Sequence, residues 1–450
     1  MKTYKLFLFA TAILLSSAGF AQSGVTGALT WSISGNTLTI SGEGDMPDYR
    51  GGTPAAPWYD YRISITTVVI ENGVTGIGND AFWENRNITT VSIPESVTKI
   101  GVDAFQMCER LGSIVIPESV TSIGDLAFNG CINLKSVTVP GSVKSIGNRA
   151  FDYCTGLTSA VISEGVTTMG NQVFSMCSNL TSVTLPGSIT SIEDRTFSNC
   201  SNLASITIPE KVKVIGRYAF RNCSSLASIA FPASVTTIRD FAFSGCTGLA
   251  AITVPGTVIT LGAMSFGNCT GLTSVSISDG VRIIHNSAFA GCNNLASISI
   301  PASVTHLGEI NVINDCPKLK KVKVGWLTPL AVAYTAGADY SDCILEVPAG
   351  TADLYRAANF WKDFIIVEES TSALTSVSAT QAKIYFNNAN ELAVEQAQGS
   401  DLTVFNTMGG MIYAQTNLSE KEIINASRWA NGIYIVCVGN EKIKLIKPKR

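Results

Sequence analysis

The sequence predicts a mainly β fold: a solenoid of about eleven or twelve coils followed by a small β-sandwich. Three observations predict it. Phe82, Phe105, Phe128, Phe151, Phe174, Phe197, Phe220, Phe243, Phe266 and Phe289 stand at uninterrupted 23-residue intervals, and a fixed period of this length means one unit stacked on copies of itself. Within each interval, short β-prone runs alternate with proline and glycine. From residue 378 onward the period gives way to short alternating runs at roughly ten-residue spacing, the pattern of a sandwich.

Bulk properties narrow the function. A chain of 450 residues has room for two or three units. Only 14% of it is charged, the net charge is −3, and no basic stripe of the kind nucleic acid requires is visible. Residues 1–21 have the form of a Sec-type signal peptide: Lys2 and Lys5, an apolar core from Leu6 to Leu15, then Gly19-Phe20-Ala21. That core is too short for a membrane anchor, no cysteine follows to carry lipid, and no later run reaches the roughly 18 apolar residues of a transmembrane helix. The expectation is an exported monomer with no transmembrane segment once the signal is removed.

One unit is clearest from Phe128. Leu134, Val137 and Val139 define a short strand with apolar side chains turned inward, the pair at 137 and 139 giving the strand period. Pro140 ends it, lacking the donor a ladder needs. Ser142 to Ile146 is β-prone and predicts a second short strand, and Gly147 turns the corner, as glycine does in seven of the ten repeats. Ala150-Phe151 and the residues up to Cys154 are expected to form one helical or 3-10 turn. A single coil buries too little to offset the ordering of its own 23 residues, so stability must come from stacking.

Leu134-x-x-Val137-x-Val139 fits the leucine-rich core pattern, with serine (Ser96, Ser119, Ser142, Ser188, Ser234, Ser303) where the common form has asparagine or cysteine. The recurring Ile-Pro-x-Ser-Val-x-x-Ile-Gly-x-x-Ala-Phe-x-x-Cys-x-x-Leu resembles the BspA-like family of bacterial leucine-rich repeats over about residues 60–325. The resemblance implies a right-handed solenoid on a bacterial surface, adhering to host matrix proteins and other cells.

The ends differ from the repeat. Residues 22–58 are expected to form an N-terminal β cap, with a hairpin from Trp31 to Gly44 turning at Gly35-Asn36, and Pro57-Trp58-Tyr59 closing the first coil. The solenoid proper spans 59–325, with Ile313 one place off the phenylalanine register after an insertion near Glu309–Asn311. Residues 326–368 predict a C-terminal cap of strand, turn and helix reaching Trp361, and 369–377 a linker. In 378–450, alternating runs at 382–386, 392–396, 402–406, 411–414, 432–438 and 443–446 give the sandwich. Leu402-Thr-Val-Phe-Asn-Thr-Met-Gly409, Asn431-Gly-Ile-Tyr-Ile-Val436 and the terminal Lys442–Arg450 resemble the sorting domain of the type IX secretion system. That resemblance implies passage to the outer-membrane surface or the medium, usually with loss of the domain.

Chemistry is sparse. Nine cysteines recur in step, from Cys108 to Cys292, among a total of 12. Stacked equivalents would meet the Cα range of a disulfide, but parallel Cβ atoms sit wider than the preferred roughly 3.8 Å. A ladder of small buried thiols is the better reading. No Cys-x-x-Cys pair offers a zinc site. His285 and His306 lie beside no nucleophile, so neither catalysis nor a cofactor or metal is expected.

The candidate sites are therefore surfaces. Along the strands Ser113, Ser136, Ser182, Ser205, Ser274 and Ser297 recur at one outward position, and Thr138, Thr184 and Thr207 at the next, interrupted by Val115, Val161, Ala230 and Ala251. Stacking would make these two uncharged hydroxyl stripes, either plain solvation of a sheet or a platform for an extended partner, protein or glycan, on host or bacterial surfaces. Trp83, Tyr153, Tyr218 and Phe241 occupy positions that vary between coils and supply a second set of contacts.

Overall fold

The computed structural model describes residues 22–49, 55–308, 312–332, 339–369, 383–387, 391–395, 398–406, 411–430, 432–438 and 441–447. The signal peptide, the insertion at 309–311 and linker residues 370–377 lie outside them. Two compact units divide the chain. One runs through Gly325 and includes Leu330–Cys343; the other holds Trp326–Pro329 and Ile344–Arg450.

The repeat winds into a β-solenoid of about 13 turns. The count exceeds eleven or twelve because the N-terminal cap joins the ladder. Strands Leu29–Ser34 and Thr37–Gly42 form the expected hairpin, with Gly35 at φ 58° in the two-residue turn, and Thr37–Gly42 then pairs in parallel with Thr67–Ile70 of the first coil.

Each coil has three sides. The first is the predicted strand, as in Ser136–Val139 and Ser159–Ile162, which pair in parallel with identical register. Its outward–inward alternation leaves Val137 and Val139 buried and Ser136 and Thr138 exposed. The second is shorter than predicted: only Ser145–Ile146 pairs, between Ser122–Ile123 and Thr168–Met169.

The third side is not the expected helical or 3-10 turn. No helix is assigned between Phe82 and Cys292. The phenylalanine N–H donates forward to the next coil, as Phe128 does to the Ala150 carbonyl at 2.8 Å, while the cysteine N–H closes a local turn onto the phenylalanine carbonyl. Residues two before and two after the phenylalanine take left-handed backbone, as Arg149 (φ 56°) and Tyr153 (φ 60°) do. The reason is spacing. A helix is about 10 Å across with its side chains, whereas strands stack about 4.8 Å apart, so helices would splay the coils. A flat, hydrogen-bonded run of turns stacks at the same interval as the strands.

The core lies between these sides. The ten phenylalanine rings are fully buried and stack along the solenoid with centroids 5.0–5.8 Å apart and planes within 2–17° of each other. Trp58 caps the column as anticipated: its ring lies 5.7 Å from Phe82 and its Nε1–H donates to the Ala81 carbonyl at 2.8 Å. At the other end Cys316 reaches the Phe289 carbonyl across 27 residues instead of 26, which fits Ile313 standing one place off register.

In the second unit, Ile344–Val347 pairs in parallel with Ile365–Glu368, and helix Ala352–Ala357 packs Tyr355 against Trp361. The sandwich has one sheet of three strands and one of four, sharing a core that includes Leu392, Val394, Val404, Ile424 and Val436. One strand escapes the sequence reading: Lys421–Asn425 pairs with Glu391–Glu395. Its Lys-Glu start leaves too few apolar residues to show an alternating pattern.

Candidate binding surfaces of the repeat

The cysteines are structural. All twelve are free, and eleven are buried. From Cys108 to Cys292 each thiol donates to the phenylalanine carbonyl of the preceding coil at 3.0–3.3 Å. A small apolar side chain with one weak donor fits a site beside a carbonyl that already accepts a backbone N–H, as Phe128 accepts that of Cys131, and has a second lone pair to offer. Burial pushes the pKa of thiols in this ladder above the ordinary value, as at Cys154 and Cys200.

The strand face does not form two uninterrupted hydroxyl stripes. Ser136, Ser159 and Ser182 lie side by side, as do Thr138, Val161 and Thr184. A separate ladder aligns Ala251, Ser274, Ser297 and finally Lys321. Ser113, Ser205 and Thr207 are exposed, but they fall on coils where this side is not assigned as strand. In the coil before the first of these ladders the face is uneven, with Val115 77% exposed.

The off-grid aromatics are dispersed rather than gathered. Trp83 stacks on Tyr59 at 5.8 Å, and Arg62 lies 4.0 Å over the opposite partner of that stack, Tyr59. Tyr218 and Phe241, equivalent positions in adjacent coils, stack at 4.9 Å, with the Arg195 guanidinium 4.8 Å from the Tyr218 ring. Tyr153 is 49% exposed.

Tyr153 stands at one end of a groove of about 550 Å³ that follows the solenoid across five coils. One row of its lining is Tyr153, Met176, Asn199, Asn222 and Gly245, each two residues after a column phenylalanine. The other is Thr155, Ser178, Ser201, Ser224 and Thr247, each next after a cysteine. None of these ten is charged. Asn222 Nδ2 donates to Asn199 Oδ1 at 2.9 Å, and the Ser201 and Ser224 hydroxyls donate to the carbonyls of Ser178 and Ser201 at 3.2 Å. Those hydroxyl oxygens retain lone pairs.

A further ladder went unread in the sequence although its signal was there: a residue with a side-chain carbonyl oxygen just past the corner. Asp125 Oδ1 accepts the Asn148 N–H at 2.7 Å, Asn148 Oδ1 accepts that of Asn171, and Asp194 Oδ1 that of Arg217. In the groove, the row headed by Tyr153 changes identity from coil to coil and carried no such signal, whereas the serine or threonine after the cysteine of each of these coils was a periodic signal that also went unread.

Two carboxyls are pushed above the ordinary range. Burial, then repulsion from Asp80 and Asp125, pushes Asp103 up to about 6. Burial also carries Asp152 to about 6, against a hydrogen bond with Ser175. Among the described residues no group of histidine, cysteine, aspartate or glutamate is arranged to hold a metal, and no helix is long and apolar enough to cross a membrane.

What the fold and surfaces define is a parallel β-solenoid repeat protein with a terminal β-sandwich. Residues 58–128, 99–227 and 213–327 match the BspA type leucine rich repeat region, in six copies, and the chain belongs to that family. Residues 380–448 match the secretion system C-terminal sorting domain. Together these matches mark an exported protein, secreted or on the cell surface. Among solved structures, a leucine-rich repeat protein from Bacteroides ovatus is 25% identical, covering 77% of this chain and 99% of its own, with a TM-score of 0.49. One from Eubacterium ventriosum is 23% identical over 73% of this chain and 94% of its own, at 0.46. A leucine rich cell surface protein from Faecalibacterium prausnitzii is 25% identical over 67% and 94%, at 0.35. Among curated proteins nothing matches.

Proposed function

We propose that this is a non-catalytic adhesin: a surface-exposed or secreted solenoid that contacts host matrix proteins or other cells through its repeat. The observation that carries the reading is an exposed, uncharged strand ladder (Ser136, Thr138, Ser182, Thr184) built into a chain that also bears a secretion sorting domain. A rigid repeat lets many modest contacts act together, which suits an extended partner. The Tyr218–Phe241 and Tyr59–Trp83 stacks supply the aromatic anchors such surfaces use. Residues 1–21 act as the export signal, 22–58 and 326–368 as caps of the 59–325 solenoid, 369–377 as a linker and 378–450 as the sorting domain. Solid-phase binding of the secreted protein to a broad panel of matrix proteins and whole cells tests the adhesin. Binding to none would end the reading. Mass spectrometry of the native C-terminus reports whether the sorting domain is removed.

A second reading, a carbohydrate-binding or scaffold component of the cell envelope, is favoured by the uncharged groove beside Tyr153.

A further inference from the structure

We infer that the groove starting at Tyr153 is a binding site for a neutral, extended oligosaccharide of about four or five sugar residues. The inference rests on the carbohydrate reading above and assigns it a place.

Four properties of the groove select this ligand. It carries no charged side chain, so it offers nothing to phosphate, sulfate or carboxylate groups and no counterion release to nucleic acid. Its polar groups are hydroxyls and carboxamides, which both donate and accept. Asn199 and Asn222 are held by the hydrogen bond between them, so their remaining valences present a fixed pattern. Tyr153 gives one end a half-exposed ring, an apolar face against which the C–H face of a pyranose can lie.

A further property is metric. Equivalent side chains recur once per coil, at about 4.8 Å, and five coils span roughly 19 Å. One pyranose in an extended β-linked chain advances by a length of the same order, so successive sugars meet successive coils in register. An extended peptide advances about 3.3 Å per residue and places same-side chains about 6.6 Å apart, which falls out of step with the coils. The surface also presents no open strand edge along this side, since its Phe N–H groups are already given to the next coil.

The test uses the whole secreted protein on a glycan array holding neutral and acidic chains, followed by calorimetric titration with cello- and laminari-oligosaccharides of two to six residues. Binding is expected for neutral chains, with affinity rising with length and levelling at four or five residues. Tyr153→Ala is expected to weaken it by about tenfold or more, Tyr153→Phe to retain it, and Ser201→Arg, which fills the middle of the groove, to abolish it. All three should melt with the wild-type protein, because the altered side chains lie outside the phenylalanine column. If no neutral glycan binds, this site and the carbohydrate reading fall together. If glycans bind but Tyr153→Ala and Ser201→Arg bind equally well, the reading stands and this site is overturned. Binding of extended peptides in preference to sugars, lost in Ser201→Arg, would also overturn it.

Discussion

The Cys200 thiol donates to the Phe174 carbonyl, 26 residues earlier, at 3.1 Å. The same bond repeats from coil to coil and joins the two residues that mark the period most strictly. Phenylalanine fills the centre of each coil, and the next coil's cysteine adds a second hydrogen bond to a phenylalanine carbonyl that already accepts a backbone N–H.

Removing one such thiol should cost more than its volume. Cys200→Ala deletes this donor while the Phe174 carbonyl keeps the Cys177 N–H, so beyond the lost volume a hydrogen-bond loss of about 0.5–1.5 kcal/mol is expected. Cys200→Ser keeps a donor and should lose less. Chemical denaturation of the three proteins orders them; equal stability of the alanine and serine variants would remove the hydrogen bond from the account.

The thiols should also be silent. Eleven are buried and only Cys437 is partly accessible, and burial raises the pKa of thiols such as Cys200 and Cys343, depleting the reactive thiolate. Iodoacetamide at pH 8 should label at most one cysteine per native chain and all twelve after unfolding. Rapid labelling of the repeat cysteines in the folded protein would contradict the packing described.

Losing a column phenylalanine should remove a ring packed on both sides. Phe174 stacks on Phe151 at 5.6 Å and on Phe197 at 5.8 Å. Phe174→Ala should cost about 3–5 kcal/mol and, in a repeat whose coils contact only their neighbours, broaden or split the unfolding transition. A single sharp transition at the wild-type midpoint would count against the column as the core.

Ser287 takes φ 56° on the turn side. Glycine relieves the left-handed strain of about 1–2 kcal/mol at some cost in chain entropy, so Ser287→Gly should stabilise by about 0.5–1 kcal/mol. A destabilised variant, measured by denaturant titration, would show that the serine is held there by something other than backbone geometry.

Asp103 should make the fold prefer mild acid. Its carboxyl titrates near 6 when folded and near 3.9 when unfolded. The folded state therefore binds the proton more tightly. The associated stability is fully present below about 4 and is lost as the pH rises through about 6. Asp103→Asn should raise Tm at pH 7.5 and leave it nearly unchanged at pH 4; an equal shift at both would exclude titration as the cause.

The sequence made the frame legible because the frame is periodic. Phe82 to Phe289, the cysteine ladder and the Gly35-Asn36 turn each follow from a residue type whose physics admits few alternatives. The turn side was misread because Ala150-Phe151 carries no glycine to announce left-handed backbone at Arg149 and Tyr153; stacking distance, a tertiary property, decides it. The strand Lys421–Asn425 was hidden by its charges. For the candidate surfaces, the outward direction of Ser136 and Thr138 was legible from alternation alone. Their division into separate ladders was not, nor was the groove row of Tyr153, Met176, Asn199, Asn222 and Gly245, which share a position and little chemistry.

That shared position is a left-handed seat at the rim of every coil, occupied by tyrosine, methionine, asparagine and glycine in turn. Its occupant contributes nothing to the phenylalanine column and gives no backbone bond that another residue would not give. Selection can therefore rewrite this row one coil at a time while the fold stays constant. Duplicating a 23-residue segment would lengthen the row by one letter without disturbing the others. What such a protein recognises can drift or be copied faster than what holds it together.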